Sequence, residues 1–307
     1  KIKLASAKFE RVSSRKTCQM SSENITTQFS FDTLIHSSVD ETLKTLGSES
    51  GSFGNFQLYK NYLFLTQGIN GLHIFDITDY HLVSHIDSPI FTNEFEEEVV
   101  DWIREIEIAE PYAYVGTDKN GILVYNINDI KNPKYLAKFQ IGSDLDEDKD
   151  SNVNNLYEVR QIELHPSKAI AYVANTTNPA NDFRILDTSD PLHISELSRF
   201  RLSMIPTQTI TTSTSADEVL HPNRYVNDFF IEYDNDKVYA YLASWENGLI
   251  VVDITNTGQP KYITSITYEN QRFTGSVVIQ KFHQKKYAFV NDESFLSNVT
   301  VLNVSDI

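Results

Sequence analysis

GLHIFDITD at residues 71–79 recurs four more times: as GILVYNIND at 121–129, DFRILDTSD at 182–190, GLIVVDITN at 248–256 and NVTVLNVSD at 298–306. The starts lie 50, 61, 66 and 50 residues apart. The centre of each copy is a near-continuous apolar run, which suits a strand buried between two layers. Recurrence at this period means a stack or ring of small β units, because one such unit cannot bury its apolar face alone.

Outward from the motif, each copy reads as four short strands. In the second copy these are Arg104–Ala109, Tyr112–Gly116, Ile122–Ile127 and Lys134–Gln140. In the fourth they are Val226–Glu232, Val238–Ala243, Leu249–Ile254 and Lys261–Thr267. Alternation and β-branched or aromatic content support them. The second strand itself repeats, as YLFLT (62–66), YAYVG (112–116), AYVAN (171–175), YAYLA (239–243) and YAFVN (287–291). After the third strand, Asp76-Ile-Thr-Asp79, Asp187-Thr-Ser-Asp190 and Asp253-Ile-Thr-Asn256 place short oxygen-bearing side chains where they can accept from nearby backbone N–H groups. Pro133, Pro191 and Pro260 follow and stop the ladder. These acids therefore belong to turns and not to a five-fold active site.

Four-stranded units of 50–66 residues predict an all-β chain, a β-propeller with five recognisable repeats. The motif resembles the LVIVD repeat, whose typical form is Gly-Leu-x-Ile-Val-Asp-[Val/Ile]-[Ser/Thr]-Asp-Pro. Gly248-Leu-Ile-Val-Val-Asp-Ile254 follows it nearly throughout, and the copy at 71–79 almost as well. The copies at 182 and 298 lack the leading Gly. The resemblance implies a propeller over residues 53–307, of a kind found mostly in secreted or surface-attached proteins, and transfers no catalytic residue. Blades are expected at about 53–88, 102–141, 158–201, 225–268 and 275–307.

Residues 1–52 form an N-terminal extension, with a possible strand at Ile25–Phe31 and a short helix at Val39–Leu46. The last copy stops after its third strand, and an exposed edge must be hidden. Ile25–Phe31 is expected to supply the missing outer strand, within the chain or from a neighbouring copy. The chain begins at Lys1 without Met, as expected where a leader has been removed or a fragment is in hand.

Net charge is −16, from 26 basic and 42 acidic residues, which argues against nucleic acid and against an anionic membrane surface. No apolar run reaches the length of a membrane-spanning helix, about 18 residues. Cys18 is the single cysteine, so no intrachain disulfide and no cysteine-based metal site can form. Its neighbours Arg15 and Lys16 can lower a thiol pKa, but an inert tail cysteine accounts for it equally. Sequons at Asn24, Asn175 and Asn298 mark candidate glycosylation sites. A fourth, at Asn303, falls at a strand end where two other copies carry Asp.

Two loop classes are long, and in a propeller they share one face: the inter-blade segments 87–103, 141–157, 201–225 and 268–274, and the intra-blade segments 66–71, 116–121, 174–182, 243–248 and 291–298. Binding usually resides on such loops. Within them, Asp144, Asp146, Asp148 and Asp150 alternate at a spacing that can wrap Ca²⁺. Lys149 and Asn155 depart from a calcium loop, and a solvated acidic loop is the alternative. Phe95-Glu-Glu-Glu-Val-Val reads as a solvated charged segment, and Thr207–Ser215 as a mobile or O-glycosylated stretch. The first strands carry Arg104 and Glu105, Arg160 and Gln161, and Asn227 and Asp228 at matching positions lining the channel. They can hold a small acidic or sugar ligand, or pair with one another as a polar plug. The eight histidines form no zinc spacing; His81 and His85, four apart, are expected on one sheet face. No nucleophile elbow and no phosphate loop is present, and no cofactor beyond Ca²⁺ is suggested.

The expected function is a non-enzymatic extracellular or cell-surface propeller for protein interaction, adhesion or self-assembly, with glycans as further partners. The alternatives are a hydrolase at the channel mouth and an intracellular scaffold. If residues 1–50 complete the last blade, their deletion sharply lowers the melting temperature. An unchanged melting temperature removes that role.

Overall fold

The computed structural model describes residues 55–92, 95–140, 158–175, 182–202, 205, 226–245, 247–268, 271, 273–293 and 299–307. The chain divides into two compact units, Lys1–Ser48 and Glu49–Ile307. All described residues lie in the second. The expected strand Ile25–Phe31, the helix Val39–Leu46, Cys18, Asn24, Asn298, the Asp144–Asp150 loop and Thr207–Ser215 lie outside them.

The first sheet is β1 (Phe56–Tyr59), β2 (Tyr62–Thr66), β3 (Leu72–Asp76) and β4 (His81–Ile86). A two-stranded hairpin follows, β5 (Ile90–Thr92) and β6 (Glu98–Val100). The second sheet is β7 (Ile103–Ala109), β8 (Tyr112–Thr117), β9 (Ile122–Asn126) and β10 (Lys134–Phe139). The third is β11 (Val159–Leu164), β12 (Ile170–Asn175), β13 (Asp182–Asp187) and β14 (Ser195–Arg201). The fourth is β15 (Val226–Asp234), β16 (Lys237–Ser244), β17 (Gly248–Asp253) and β18 (Lys261–Ile266). The fifth has three strands among the described residues, β19 (Thr274–Phe282), β20 (Lys285–Asp292) and β21 (Val299–Asn303). All six sheets are antiparallel, and the five large ones run in chain order from first strand to last. The arrangement is propeller-like.

Packing follows from the alternation. In the first four sheets one face presents a cross-strand row whose members on the second and third strands are fully or nearly fully buried: Phe64 and Ile74, Tyr114 and Val124, Tyr172 and Ile185, Tyr241 and Val251. Each row enters an apolar cluster shared with the next sheet. Burying one such aromatic or aliphatic side chain is worth about 1.5–3 kcal/mol. The fourth and fifth sheets are also joined by a buried polar contact. Lys286 Nζ lies 2.7 Å from Glu232 Oε2, which also accepts from Tyr241 Oη at 2.9 Å. Burial works against the Glu232 carboxylate, but the bonds from Lys286, Tyr241 and Lys281 hold its pKa below the usual range.

The three turn acids and the two asparagines in their place act as their chemistry requires, in all five copies. Asp76 accepts from Thr78 N at 2.9 Å, Asn126 from Asn128 N at 2.9 Å, Asp187 from Ser189 N at 2.8 Å, Asp253 from Thr255 N at 2.9 Å and Asn303 from Ser305 N at 3.1 Å. Bonds from the Thr78 hydroxyl and backbone lower the Asp76 pKa. The missing Gly at position 182 does not stop the third copy, since β13 starts there and Asp182 pairs with Arg201.

Bulges repeat as regularly as the strands. Each inner strand from the second sheet on carries an extra residue, Arg104, Arg160, Asn227 or Gly275. Each outer strand of a four-stranded sheet carries one at Val83, Leu136, Leu197 or Ile263. The Val83 bulge corrects the histidine expectation. His81 pairs with Asp76 and His85 with His73, so the extra residue puts His81 and His85 on opposite faces. The His73 and His85 rings lie 4.4 Å apart, and burial first, then His85, lowers the His73 pKa to about 4.

Gly248 opens the fourth copy of the motif at φ 77°. A Cβ there would meet the Ile266 carbonyl oxygen at 2.4 Å, whereas one at Gly258 would meet nothing nearer than 3.5 Å. Gly248→Ala is therefore expected to destabilise by more than about 1 kcal/mol in urea unfolding, with Gly258→Ala near neutral. Equal effects would refute the assignment of strain to the motif glycine.

Candidate functional site

The second to fifth large sheets place a polar residue at the same register position of the first strand, Glu105, Gln161, Asp228 and Ser276, and Asn55, just before β1, stands opposite Thr66 in the equivalent place. For the second, third and fourth sheets the bulge just before it supplies Arg104, Arg160 and Asn227. The six residues marked in the sequence thus occupy equivalent places, and the structure shows what each touches. Gln161 clamps the next inner strand, accepting from Phe229 N at 2.6 Å and donating to Phe229 O at 3.1 Å. Asp228 accepts from Val277 N at 2.9 Å, and Asn227 Nδ2 donates to Gly275 O at 2.7 Å. Glu105 accepts from Asn55 Nδ2 and from Ile106 N. Inner strands of successive sheets are not hydrogen-bonded to each other as a ladder, so these side chains staple them together.

Arg104 forks onto the Asp118 carboxylate, and Arg160 lies 2.7 Å from Glu158 Oε1, with Arg104 3.5 Å from the same oxygen. Two charged pairs from adjacent sheets meet there. Trp102 lies under the Arg104 guanidinium at 5.4 Å and packs against the backbone of Gly68.

Sequence inspection missed Glu107 and Glu163, two residues along the inner strands from Glu105 and Gln161. Their period-two spacing was the available signal. Burial first, then the neighbouring charges, pushes Glu105 up to about 8 and Glu163 up to about 7; burial pushes Glu107 up to about 7 and Asp228 up to about 6. Glu105 and Glu163 both feel Asp228, which brings carboxylates of three sheets into one electrostatic environment. Asn175 is fully buried and accepts from Arg184 Nε at 3.1 Å. A glycan acceptor must be exposed, so the Asn175 sequon is withdrawn for this conformation.

The two long-loop classes are tied together at one end of the sheets. Asp101, before β7, is buried and accepts from Lys119 N at 3.0 Å, Asn120 N at 2.9 Å and Asn120 Nδ2 at 2.8 Å in the β8–β9 loop. Ile103 N donates to Gly68 O, and Thr274 N to Trp245 O. The segment 87–103, expected to be a loop, carries the β5–β6 hairpin; its Glu96, Glu97 and Glu98 are exposed, as their charge implies.

The family model for the LVIVD repeat matches residues 103–137 and 238–267. The chain carries LVIVD repeats. These segments cover β7 to most of β10 and β16 to β18, and the motif copy at 71–79 lies outside them. No curated protein matches the sequence. Among solved structures, the chain is similar to the computationally designed Ika8 protein at 11% identity and a TM-score of 0.47, over 84% of this chain and 60% of that one. The chain therefore spans less than two thirds of the length of that protein. Among the described residues no helix is long and apolar enough to cross a membrane, and no group of three or more metal-ligating side chains converges.

The raised carboxylates give a signed expectation. A carboxyl whose folded pKa exceeds its unfolded value stabilises fully below the unfolded pKa and loses that contribution as pH rises through the folded one. The melting temperature should fall from about pH 4.5, the ordinary Glu value, to about pH 8, where Glu105 titrates. The double substitution Glu105→Gln and Glu107→Gln should flatten that decline. A wild-type profile already flat in this window would contradict the assignment.

Proposed function

We propose that the protein is a non-enzymatic extracellular or cell-surface propeller whose loop-bearing end binds other proteins. The supporting observation is a set of exposed apolar side chains on the 87–103 segment and the neighbouring β2–β3 loop at that end. Ile90 and Val100 are register partners on β5 and β6 and both are exposed, Ile90 at 58%. Phe95 at the hairpin tip is 73% exposed, and Trp102, which packs on Gly68, and Ile69 next to that glycine are exposed too. Contiguous exposed apolar surface rimmed by charge is a mark of an interaction site. Here the rim is Glu96, Glu97 and Glu98, so the partner has an apolar centre with basic flanks.

In the same proposal the five large sheets are blades, and the outer edge of the fifth is completed by an added strand, for which residues 25–31 are the candidate. Among the described residues the fifth sheet ends at β21, whereas the others have a fourth strand. An unpaired edge is a template for strand addition. Glycans on Asn24 or Asn298 belong to the same extracellular placement.

Two measurements on source cells decide the proposal. External protease should degrade the protein on intact cells while cytoplasmic markers survive. Cross-linking in situ should join a partner to wild type, and a variant carrying Ile90→Ser, Phe95→Ser and Trp102→Ser should lose it. Protection from protease removes the surface placement; an unchanged cross-linking pattern removes the hairpin as the binding element.

A further inference from the structure

Side chains in series join the inner strands of the first and second sheets. Asn55 Nδ2 donates to Glu105 Oε1, Gln57 Nε2 to Glu107 Oε2 at 3.1 Å, and Lys60 Nζ to Glu110 Oε1 at 2.6 Å. Each pair is 50 residues apart, the spacing of the first two motif copies. The middle pair is incomplete as drawn by that one bond. Gln57 Oε1 is buried and has no hydrogen-bond donor. An orphaned buried amide oxygen is costly, and native structures satisfy nearly all such groups.

The missing donor has one chemical source in this pair. An ionised carboxylate only accepts, so a charged Glu107 has nothing to give to Gln57 Oε1. A protonated Glu107 has one O–H. The amide oxygen shares a carbon with the nitrogen that already meets Glu107, so the carboxyl is within reach of both ends of the amide. Nε2 then donates to one carboxyl oxygen, the other carboxyl oxygen donates to Oε1, and both groups are satisfied in a single ring.

The groups around Glu107 do not favour its charge. Glu105 neighbours it on β7 and Glu163 on β11, and Asp228 on β15 acts on both of these acids. Tyr114 lies opposite on β8, and β19 carries Ser276 and Val278 at its equivalent places. The basic groups of the inner strands are engaged with other acids, Lys60 with Glu110, Arg104 with Asp118 and Arg160 with Glu158. Among the described residues no cation acts on Glu107, and burial raises its pKa to about 7. The strand it meets is weakly held: β1 has four residues, none of them fully buried.

We propose that Gln57 and Glu107 form an acid–amide pair closed by one proton, and that this pair is a pH-sensitive catch docking β1 on β7. When the proton leaves, Gln57 Oε1 is orphaned beside a carboxylate and β1 loosens. The apolar cluster that Phe64, Leu72 and Ile74 share with the second sheet keeps the two sheets together meanwhile. The sign follows from linkage. A carboxyl whose pKa is raised by docking stabilises the docked state fully below the ordinary Glu value of 4.5 and loses that contribution as pH rises through about 7. β1 is therefore firm in mild acid and loose above neutrality.

The test is hydrogen exchange of the full chain by mass spectrometry, corrected for intrinsic rates and read on the peptide that contains β1. Its protection should drop by about tenfold or more between about pH 5 and about pH 8. Glu107→Gln keeps an N–H for Gln57 Oε1 at every pH, so at about pH 8 its β1 protection should exceed wild type by about tenfold. Gln57→Leu removes the amide, and at about pH 5 its β1 protection should fall about tenfold below wild type while β8 and β9 stay protected. Carbon-13 NMR of chain labelled at Glu should show the Glu107 carboxyl, assigned by its loss in Glu107→Gln, titrating well above the ordinary Glu value. A Glu107 carboxyl that titrates at that ordinary value overturns the proton assignment. Equal β1 protection in wild type and Glu107→Gln at about pH 8, or in wild type and Gln57→Leu at about pH 5, overturns the catch.

Discussion

A four-stranded sheet with an aromatic and aliphatic row on each face has no way to dry both faces by itself. That constraint organises the structure. In the second, third and fourth sheets the third strands are largely apolar on both sides because a neighbour lies on both sides, and Phe64, Tyr114, Tyr172 and Tyr241 fill one recurring position between sheets. Every sheet is stable only as a member of the series, which is the physical meaning of the repeat.

The inner strands are governed by a second requirement. They lie side by side without a shared ladder, so their backbone groups need partners from side chains. Gln161 and Asp228 meet the amides of Phe229 and Val277, and Asn227 meets the carbonyl of Gly275. The β-bulges place these groups. An extra residue at Arg104, Arg160 and Asn227 turns the strand locally and sends the bulged and following side chains in different directions. The converging polar residues that suggest a ligand site are in large part committed to joining the sheets. Burial of Glu105, Glu107, Glu163 and Asp228 leaves a set of carboxyl groups that hold protons more firmly than surface acids do.

Much of the fold was legible because the features that set it are local. Strand positions in the second and fourth copies follow from alternation within two residues of the observed ends. The Asp and Asn turns follow from the reach of a short side chain to an amide two residues on, and Asn126 and Asn303 fit the same pattern. The candidate site was half legible. Arg104, Glu105, Arg160, Gln161, Asn227 and Asp228 could be marked by comparing copies, but their partners could not. Asn55 is 50 residues from Glu105 and Gln161 is 68 from Phe229, and no pattern in either segment names the other. Asn175 shows the converse, a sequon that reads as a surface feature and is buried beside Arg184.

By itself the sequence determined the unit: strand lengths, turn chemistry, repeat period and the sharing of apolar faces between neighbours, all consequences of side-chain type over a few residues. Only the tertiary structure decided which polar groups are free and which are stapled, since that depends on strands brought together across sheets. It also decided the faces of His81 and His85, because one unpaired residue at Val83 inverts an alternation that sequence spacing assumes to be unbroken.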